Sequence, residues 1–136
     1  MSRPDVLIEK WLPIAELGVE SQRERGASSA LPPLYFLHVW WARRPLTVSR
    51  GAFLASLLPQ WSEDWPEDLK EKFPDEESYR KWFLRVLGIL GDPVTARKLI
   101  QKAMEAGKRI PNPYGYSRAF TVNPAPEQLE LLYQLL

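Results

Sequence analysis

The segment that organises this chain reads His38-Val39-Trp40-Trp41-Ala42-Arg43-Arg44-Pro45-Leu46. Extended to Arg50, it holds the only histidine, two of the six tryptophans and three arginines within thirteen residues. No aspartate or glutamate occurs between Glu24 and Glu63. Such a concentration of cations and aromatic rings has to be explained by whatever lies against it.

A helix is predicted to begin at Pro45, because proline at the first helical position has no N–H to leave unpaired. Apolar residues then recur with helical spacing as far as the next proline: Leu46, Phe53, Leu54, Leu57 and Leu58. Arg43 and Arg44 therefore lie at the N-terminal end of this helix, where the helix dipole is itself positive. We expect them to form an anion-binding corner with the exposed N–H groups, and Arg50 to reach the same side. The alternative is that the arginines pair with distant carboxylates or solvent and that the tryptophans are core.

The residues before this segment predict a helix followed by a loop. Asp5 is a candidate N-cap, and four apolar residues after it share one helical face: Leu7, Ile8, Trp11 and Leu12. Pro13 interrupts this helix, and residues 16–25 are expected to be its polar, solvated continuation, which stops at Gly26. Residues 26–34 are loop by composition, and Tyr35–Trp41 is rich in residues that favour a short strand or extended strip.

Residues 61–78 form an acidic connector, with eight carboxylates and two lysines and a short helix predicted over 66–72. The clearest helical pattern of the chain follows: Tyr79, Trp82, Phe83, Val86, Leu87 and Leu90. Asp75 is a candidate N-cap for this helix, and Gly91 is expected to end it.

Asp92 and Pro93 predict the cap and first turn of the next helix, which Gly107 closes. Its apolar stripe is expected to be core: Ala96, Leu99, Ile100, Ala103 and Met104. Its basic face is expected to be solvated, with a nucleic-acid contact as the alternative. We expect the two helices to form an antiparallel pair.

Residues 108–126 form a second acid-free window that is irregular, aromatic and basic. Its candidate secondary DNA contacts are Lys108, Arg109, Tyr114, Tyr116 and Arg118. A last helix opens at Pro126 and continues to Leu136 without a stop signal. We therefore expect the chain to be the front part of a longer protein, or this helix to pack on a partner.

Composition limits the classes of function. A chain of 136 residues with 45% hydrophobic residues fits a single domain, 1–136, and the patterns predict a mainly α fold of about five helices with the strip around Tyr35–Trp41. Its parts are residues 1–60, the acidic connector 61–78 and the helical hairpin, basic loop and last helix of 79–136.

The absence of cysteine excludes disulfides and thiolate ligands, and a single histidine makes a metal site improbable. No catalytic triad or glycine-rich nucleotide loop is present. No apolar run is long enough for a membrane span and no signal peptide is evident, so we expect a cytoplasmic, non-enzymatic chain without metal or membrane.

One pattern in the first fifty residues resembles a known family. It consists of Ile8-Glu9-Lys10, Leu12-Pro13, Ser21 and Glu24-Arg25, followed by Leu37-His38-Val39-Trp40-Trp41-Ala42-Arg43-Arg44-Pro45-Leu46 and Arg50. It is similar to the N-terminal domain of unknown function that begins large bacterial and archaeal adenine-specific DNA methyltransferases. The resemblance covers roughly residues 5–60. In that family the string precedes an Asp-Pro-Phe-x-Gly-Gly-Gly loop that binds S-adenosylmethionine, and an Asn/Asp-Pro-Pro-Tyr motif lies far downstream. Neither is found in this chain.

The resemblance implies a non-catalytic module of such a methyltransferase, contributing nucleic-acid or cofactor-pocket contacts. The candidate contact residues are His38, Trp40, Trp41, Arg43, Arg44, Pro45 and Arg50. No cofactor is expected in the chain itself, S-adenosylmethionine is expected in the parent protein, and the expected partners are DNA and the remainder of that protein. The alternative is a helical protein-interaction or structural domain with no ligand of its own. A free-standing nucleic-acid binder is disfavoured by the net charge of +1.

Overall fold

Helices account for nearly all regular structure in the computed structural model, which describes residues 5–25 and 46–136. Seven α-helices lie in these ranges: α1 Leu7–Lys10, α2 Ile14–Arg25, α3 Leu46–Leu57, α4 Glu67–Lys72, α5 Glu76–Val86, α6 Pro93–Glu105 and α7 Pro126–Leu135. A short 3-10 helix spans Ala119–Thr121, and the described residues contain one isolated antiparallel bridge, between Val6 and Pro59. The prediction of a mainly α fold is confirmed, although with more helices than expected, and the strip Tyr35–Trp41 lies outside the described residues.

Aromatic residues around α5 form the centre of the core. The rings of Tyr79 and Trp82 stack with centroids 5.8 Å apart, and Phe73 meets Tyr79 edge-on at 5.3 Å. The Tyr79 hydroxyl donates to the carbonyl of Pro59 at 2.8 Å, and burial raises the pKa of Tyr79. Phe83 is also fully buried and meets Trp11 of the segment after α1. The apolar face predicted for this helix is therefore the core face.

The helix caps predicted at Asp75 and Asp92 are confirmed, whereas the cap predicted at Asp5 is wrong, because α1 begins after Val6. Asp75 accepts the N–H of Ser78 at 2.7 Å, and the pKa of Asp75 is lowered mainly by that bond and then by the Ser78 hydroxyl. Asp92 accepts the N–H of Thr95 at 3.1 Å and its hydroxyl at 2.6 Å, and these bonds, the hydroxyl first, lower the pKa of Asp92. Each carboxylate thus satisfies donors that a helix N-terminus otherwise leaves unpaired.

The end predicted for α5 is wrong by about one turn. The helix ends at Val86 and the chain turns at Gly88, whose φ is +89°, rather than at Gly91. A Cβ atom at Gly88 would lie 2.5 Å from the carbonyl oxygen of Ala119. The close approach of this second segment therefore fixes the position of the turn, and Leu90 is left 55% exposed outside the helix.

Helix α3 packs through its small residues. Thr47, Gly51 and Ala55 are buried on one face, and a Cβ at Gly51 would lie 3.1 Å from a methyl group of Leu17 on α2. Because α1 and α2 both approach α3 closely, most of the apolar face predicted for α3 points outward. Of the apolar residues with helical spacing, Leu58 is buried, whereas three are exposed: Leu46, Phe53 and Leu57.

Helix α6 contacts the domain through its first half. It makes its closest backbone approach to α2 rather than to α5, with which we expected it to pair. Pro93 and Ala96 are buried at this contact. Leu99 and Met104 are 47% and 71% exposed, so the prediction that the whole apolar stripe is core is wrong.

No helix in the described ranges is long and apolar enough to cross a membrane.

Candidate functional site

The structure describes only part of the predicted site. His38, Trp40, Trp41, Arg43, Arg44 and Pro45 lie outside the described residues. Arg50 and the whole secondary set from Lys108 to Arg118 are described, as is the start of α3, which follows Pro45 directly. The geometry of the site can therefore be built from α2, α3 and the loop between α6 and α7.

A buried carboxylate occupies the start of α3. Glu24 is 1% exposed and accepts the N–H of Leu46 at 2.7 Å and the N–H of Thr47 at 3.3 Å. The expectation that the N–H groups at this helix start are open to an external anion is therefore wrong for Leu46 and Thr47. A carboxylate at a helix N-terminus gains both from hydrogen bonds and from the dipole. The chain itself therefore supplies a negative group at the point where the cationic segment ends.

A second buried carboxylate lies one helical turn earlier on α2. Glu20 is also 1% exposed, and it accepts hydrogen bonds from the Tyr116 hydroxyl, from the Ala119 N–H at 3.1 Å and from Arg23 Nη1 at 2.7 Å. Three donors, one of them the cation Arg23, compensate for the burial of this charge. The expectation that residues 16–25 are a solvated helical end is wrong, because Glu20 and Glu24 fasten α2 to two distant parts of the chain.

The side chain of Arg23 lies between Glu20 and two tyrosine rings. Its guanidinium carbon is 3.9 Å from the ring centroid of Tyr114 and 4.8 Å from that of Tyr116, and Nη2 donates to the Tyr116 carbonyl at 3.0 Å. Burial, and then the hydrogen bond to Glu20, raises the pKa of the Tyr116 phenol. Arg23, Glu20 and both rings are thus held in one arrangement before any ligand arrives.

Arg50 also has partners inside the domain. Its Nη1 donates to the carbonyl of Val122 at 3.2 Å and, at the longer distance of 3.5 Å, to that of Leu87. These bonds join α3 to the end of α5 and to the segment after the 3-10 helix. The structure gives Arg50 a structural role, and its contact with an anion outside the domain stays a prediction.

An open cleft lies beside the tyrosines and has a volume of about 320 Å³. We call it the Arg23 cleft, and it is lined by Arg23, Asn112, Tyr114, Tyr116, Ser117 and Arg118. Asn112 Oδ1 accepts the Tyr114 N–H at 3.0 Å, which fixes the turn that carries this ring. Arg118 is exposed and has no ion pair within the described part of the chain, while its Nε donates to the Arg23 carbonyl at 3.3 Å. A guanidinium beside an aromatic ring suits a phosphate with an adjacent base.

Lys108 and Arg109 lie at a different recess. This recess, which we call the α6 groove, has a volume of about 420 Å³ and is largely apolar. It is lined by Ile100, Ala103, Met104, Lys108, Arg109, Ile110, Asn112 and Pro113. The structure therefore divides the predicted secondary set, placing Tyr114, Tyr116 and Arg118 at one recess and the two other cations at its neighbour.

Sequence reasoning missed the residues that hold this region together, namely Glu20, Arg23 and Glu24. A signal was present, because Glu20 and Glu24 are four residues apart and lie on one helical face. Apart from the ion pair between Glu20 and Arg23, however, their hydrogen bonds described above join residues 22 to 99 positions apart along the chain. Among residues 5–25 and 46–136, no group of three or more His, Asp or Glu side chains is placed to hold a metal ion.

Comparison with known proteins gives one match. A family model described as "Protein of unknown function (DUF1156)" matches residues 11–85. This range contains α2 and α3, and hence Glu20, Arg23, Glu24 and Arg50, as well as the segment from His38 to Pro45. No curated protein and no solved structure matches the chain.

Proposed function

We propose that this chain, which belongs to the family of proteins of unknown function DUF1156, is a non-catalytic N-terminal module of an adenine-specific DNA methyltransferase that uses S-adenosylmethionine. In this proposal the segment His38–Arg50 contributes contacts to DNA or to the cofactor pocket of the catalytic part. The resemblance of this segment to the start of such methyltransferases supplies the class of reaction. The arrangement of charge around α3 supports a binding role.

The observation that carries the proposal is the pair of hydrogen bonds that Glu24 accepts from the start of α3. Two hydrogen bonds fix the backbone of Leu46 and Thr47, which directly follow Arg43, Arg44 and Pro45. A fixed backbone lowers the entropy cost of holding neighbouring side chains against a partner. The guanidinium group of arginine suits a planar, bidentate contact with a phosphate.

The Arg23 cleft supports a second contact with nucleic acid. Tyr114 offers a ring whose position is set by Asn112 and Arg23, and Arg118 offers an exposed guanidinium beside it. Because the Tyr116 hydroxyl already donates to Glu20, we assign Tyr116 to holding the cleft rather than to contacting DNA through its hydroxyl.

Binding of the chain to a DNA duplex tests the proposal. We expect fluorescence anisotropy to show binding at low salt that is weaker in the variant Arg43→Ala/Arg44→Ala. The matched control is Arg97→Ala/Lys98→Ala, which removes two exposed cations from α6 and should retain the binding. Absence of duplex binding at low salt by the unmodified chain would remove the DNA contact from the proposal.

Calorimetry with S-adenosylmethionine tests the cofactor part. The chain lacks the glycine-rich loop that supplies the other wall of the pocket in the methyltransferases it resembles. We therefore expect no heat of binding from this chain alone and clear binding from a chain that continues into the catalytic part. Strong binding by the 136-residue chain would contradict a module that only borders the pocket.

The alternative function is a helical protein-interaction or structural domain with no ligand of its own. An apolar stripe on the outer face of α3 favours it, because Leu46, Phe53 and Leu57 are 46%, 66% and 50% exposed. Exposed apolar side chains on one helical face suit contact with another protein surface. A chain that fails to bind duplex DNA but gains stability when joined to the remainder of its parent protein would support this alternative.

A further inference from the structure

The α6 groove leaves an unusual amount of apolar surface exposed. Met104 and Ile110 are 71% and 41% exposed, and Leu99 on the same helix is 47% exposed. Met104 and Ile110, together with Ile100 and Pro113, surround a recess of about 420 Å³, which Leu99 does not line. Apolar surface that is gathered in one recess, rather than scattered singly, is typical of a protein contact.

The charges around this groove are nearly all positive. Residues 93–118 contain six cations and one carboxylate, Glu105. Lys108 and Arg109 line the groove, and Arg97, Lys98 and Lys102 are exposed on α6. Within the described residues, none of these five cations forms an ion pair, whereas Lys10 and Lys81 elsewhere do. An occupant that is apolar and negatively charged would therefore be complementary to the groove.

A surface that is mainly acidic lies on α4 and α7, where five carboxylates outnumber Lys70 and Lys72. We call it the acidic face, and its carboxylates are Glu67, Asp68, Glu71, Glu127 and Glu130. Lys72 Nζ donates to Gln134 Oε1 at 3.0 Å, which links the two helices. No ion pair involves any of these carboxylates in the part of the chain that the structure describes. Tyr133, on the same helix as Glu127 and Glu130, is 73% exposed.

We propose that the acidic face of one copy of this chain docks on the α6 groove of a second copy. Tyr133 of the first copy enters the apolar recess of the second, and Glu127 and Glu130 face Lys108 and Arg109 at its rim. The two surfaces are different, so the contact is head-to-tail and builds rings or open chains rather than a simple two-fold dimer. This inference does not depend on the methyltransferase proposal, because it rests on the described helices alone.

Charge reversal on either surface tests the contact. Sedimentation velocity of the unmodified chain should show a mass that rises with concentration at low salt and falls as salt screens the charges. The variants Lys108→Glu/Arg109→Glu and Glu127→Lys/Glu130→Lys should each associate roughly tenfold more weakly, because like charges then face each other. A mixture of the two variants should associate again, since each reversed surface then meets an opposite charge on the other variant.

Association of the mixed variants is the result that misfolding of either variant cannot explain. Arg85→Glu is a matched control, because Arg85 is exposed on α5 away from both surfaces, and it should leave association unchanged. Tyr133→Ser should weaken association, and Phe53→Ser, a similar loss on α3, should not. A chain that stays monomeric at every concentration at low salt, or a mixture that fails to associate, would overturn the proposal. Reversal at Lys108 and Arg109 that abolishes duplex binding without changing the oligomeric state would overturn it in favour of DNA as the occupant.

Discussion

Removing the carboxylate of Glu24 should loosen the start of α3. Glu24→Ala deletes the acceptor of the Leu46 N–H at 2.7 Å and of the Thr47 N–H at 3.3 Å. The short bond to a charged group is worth about 1.5–3 kcal/mol and the longer one about 0.5–1.5 kcal/mol. Thr47 is buried, so its N–H cannot simply bond to water instead. We expect a loss of about 3 kcal/mol of unfolding free energy.

Glu24→Gln gives a graded comparison. Glutamine keeps one acceptor oxygen and loses the charge, so its cost should be about half that of alanine. Urea unfolding followed by tryptophan fluorescence measures both variants. Thermal midpoints should fall by about 3–4 °C for each kcal/mol in a domain of this size.

The control for this prediction is Glu16→Ala. Glu16 lies on the same helix, is half-buried and has no ion pair within the described residues. Its replacement should change the unfolding free energy by about 0.5 kcal/mol or less. If Glu24→Ala were as mild as Glu16→Ala, the view that a buried carboxylate fixes the start of α3 would be refuted.

Three further predictions concern other parts of the fold. Gly88→Ala should lower the unfolding free energy by about 2–4 kcal/mol, because the left-handed φ is combined with a clash against a backbone carbonyl. Gly107→Ala, at a positive φ in open space, should lower it by only about 1 kcal/mol, and urea unfolding measures both variants. Tyr116→Phe should lower the unfolding free energy by about 1–2 kcal/mol, since the buried carboxylate of Glu20 loses one of its donors. Equal stability of this variant and the unmodified chain would count against the hydrogen bonds proposed to hold Glu20. The pKa values of Asp75 and Asp92 are lowered by hydrogen bonds from their own helices, so their stabilising effect is present above about pH 3.8 and is lost as the pH falls through the lowered values. Urea midpoints measured from about pH 5 to about pH 2 should therefore fall more in the unmodified chain than in Asp75→Asn/Asp92→Asn, and parallel curves would contradict this.

Much of the fold follows from short-range patterns. The caps at Asp75 and Asp92 and the aromatic face of α5 were predicted correctly, because each depends on residues within one or two helical turns. The mainly helical class follows from the same local periodicity. These features need no knowledge of what packs against the helix.

The errors arise where distant segments decide the outcome. Periodicity shows that α6 has an apolar stripe, but α2 covers only its first half, so Leu99 and Met104 remain exposed. The same limit explains why α3 buries its small residues, which allow α2 to approach closely. Glu20 and Glu24 look like solvated residues until the loop around Tyr116 and the start of α3 are brought against them.

The sequence predicts which residue types make up the candidate site, but not how the fold arranges them. The acid-free windows identified the cationic segment and the loop from Lys108 to Arg118 correctly as the basic, aromatic parts of the chain. The separation of that loop into the Arg23 cleft and the α6 groove depends on the position of Arg23, which its neighbours in sequence do not reveal. Arg23 is held by Glu20 on its own helix and by Tyr114 and Tyr116 on the distant loop, and the contacts with the loop form only in the folded chain.

The salt dependence of duplex binding tests the central claim most directly, namely that Arg43 and Arg44 meet a negative partner from outside the chain. The logarithm of the association constant should fall linearly with the logarithm of salt concentration, by about 0.9 for each phosphate contacted. Arg43→Ala/Arg44→Ala should therefore make this slope shallower by about 1.8, while Arg97→Ala/Lys98→Ala should leave it unchanged. Equal slopes for the unmodified chain and the Arg43/Arg44 variant would contradict the account.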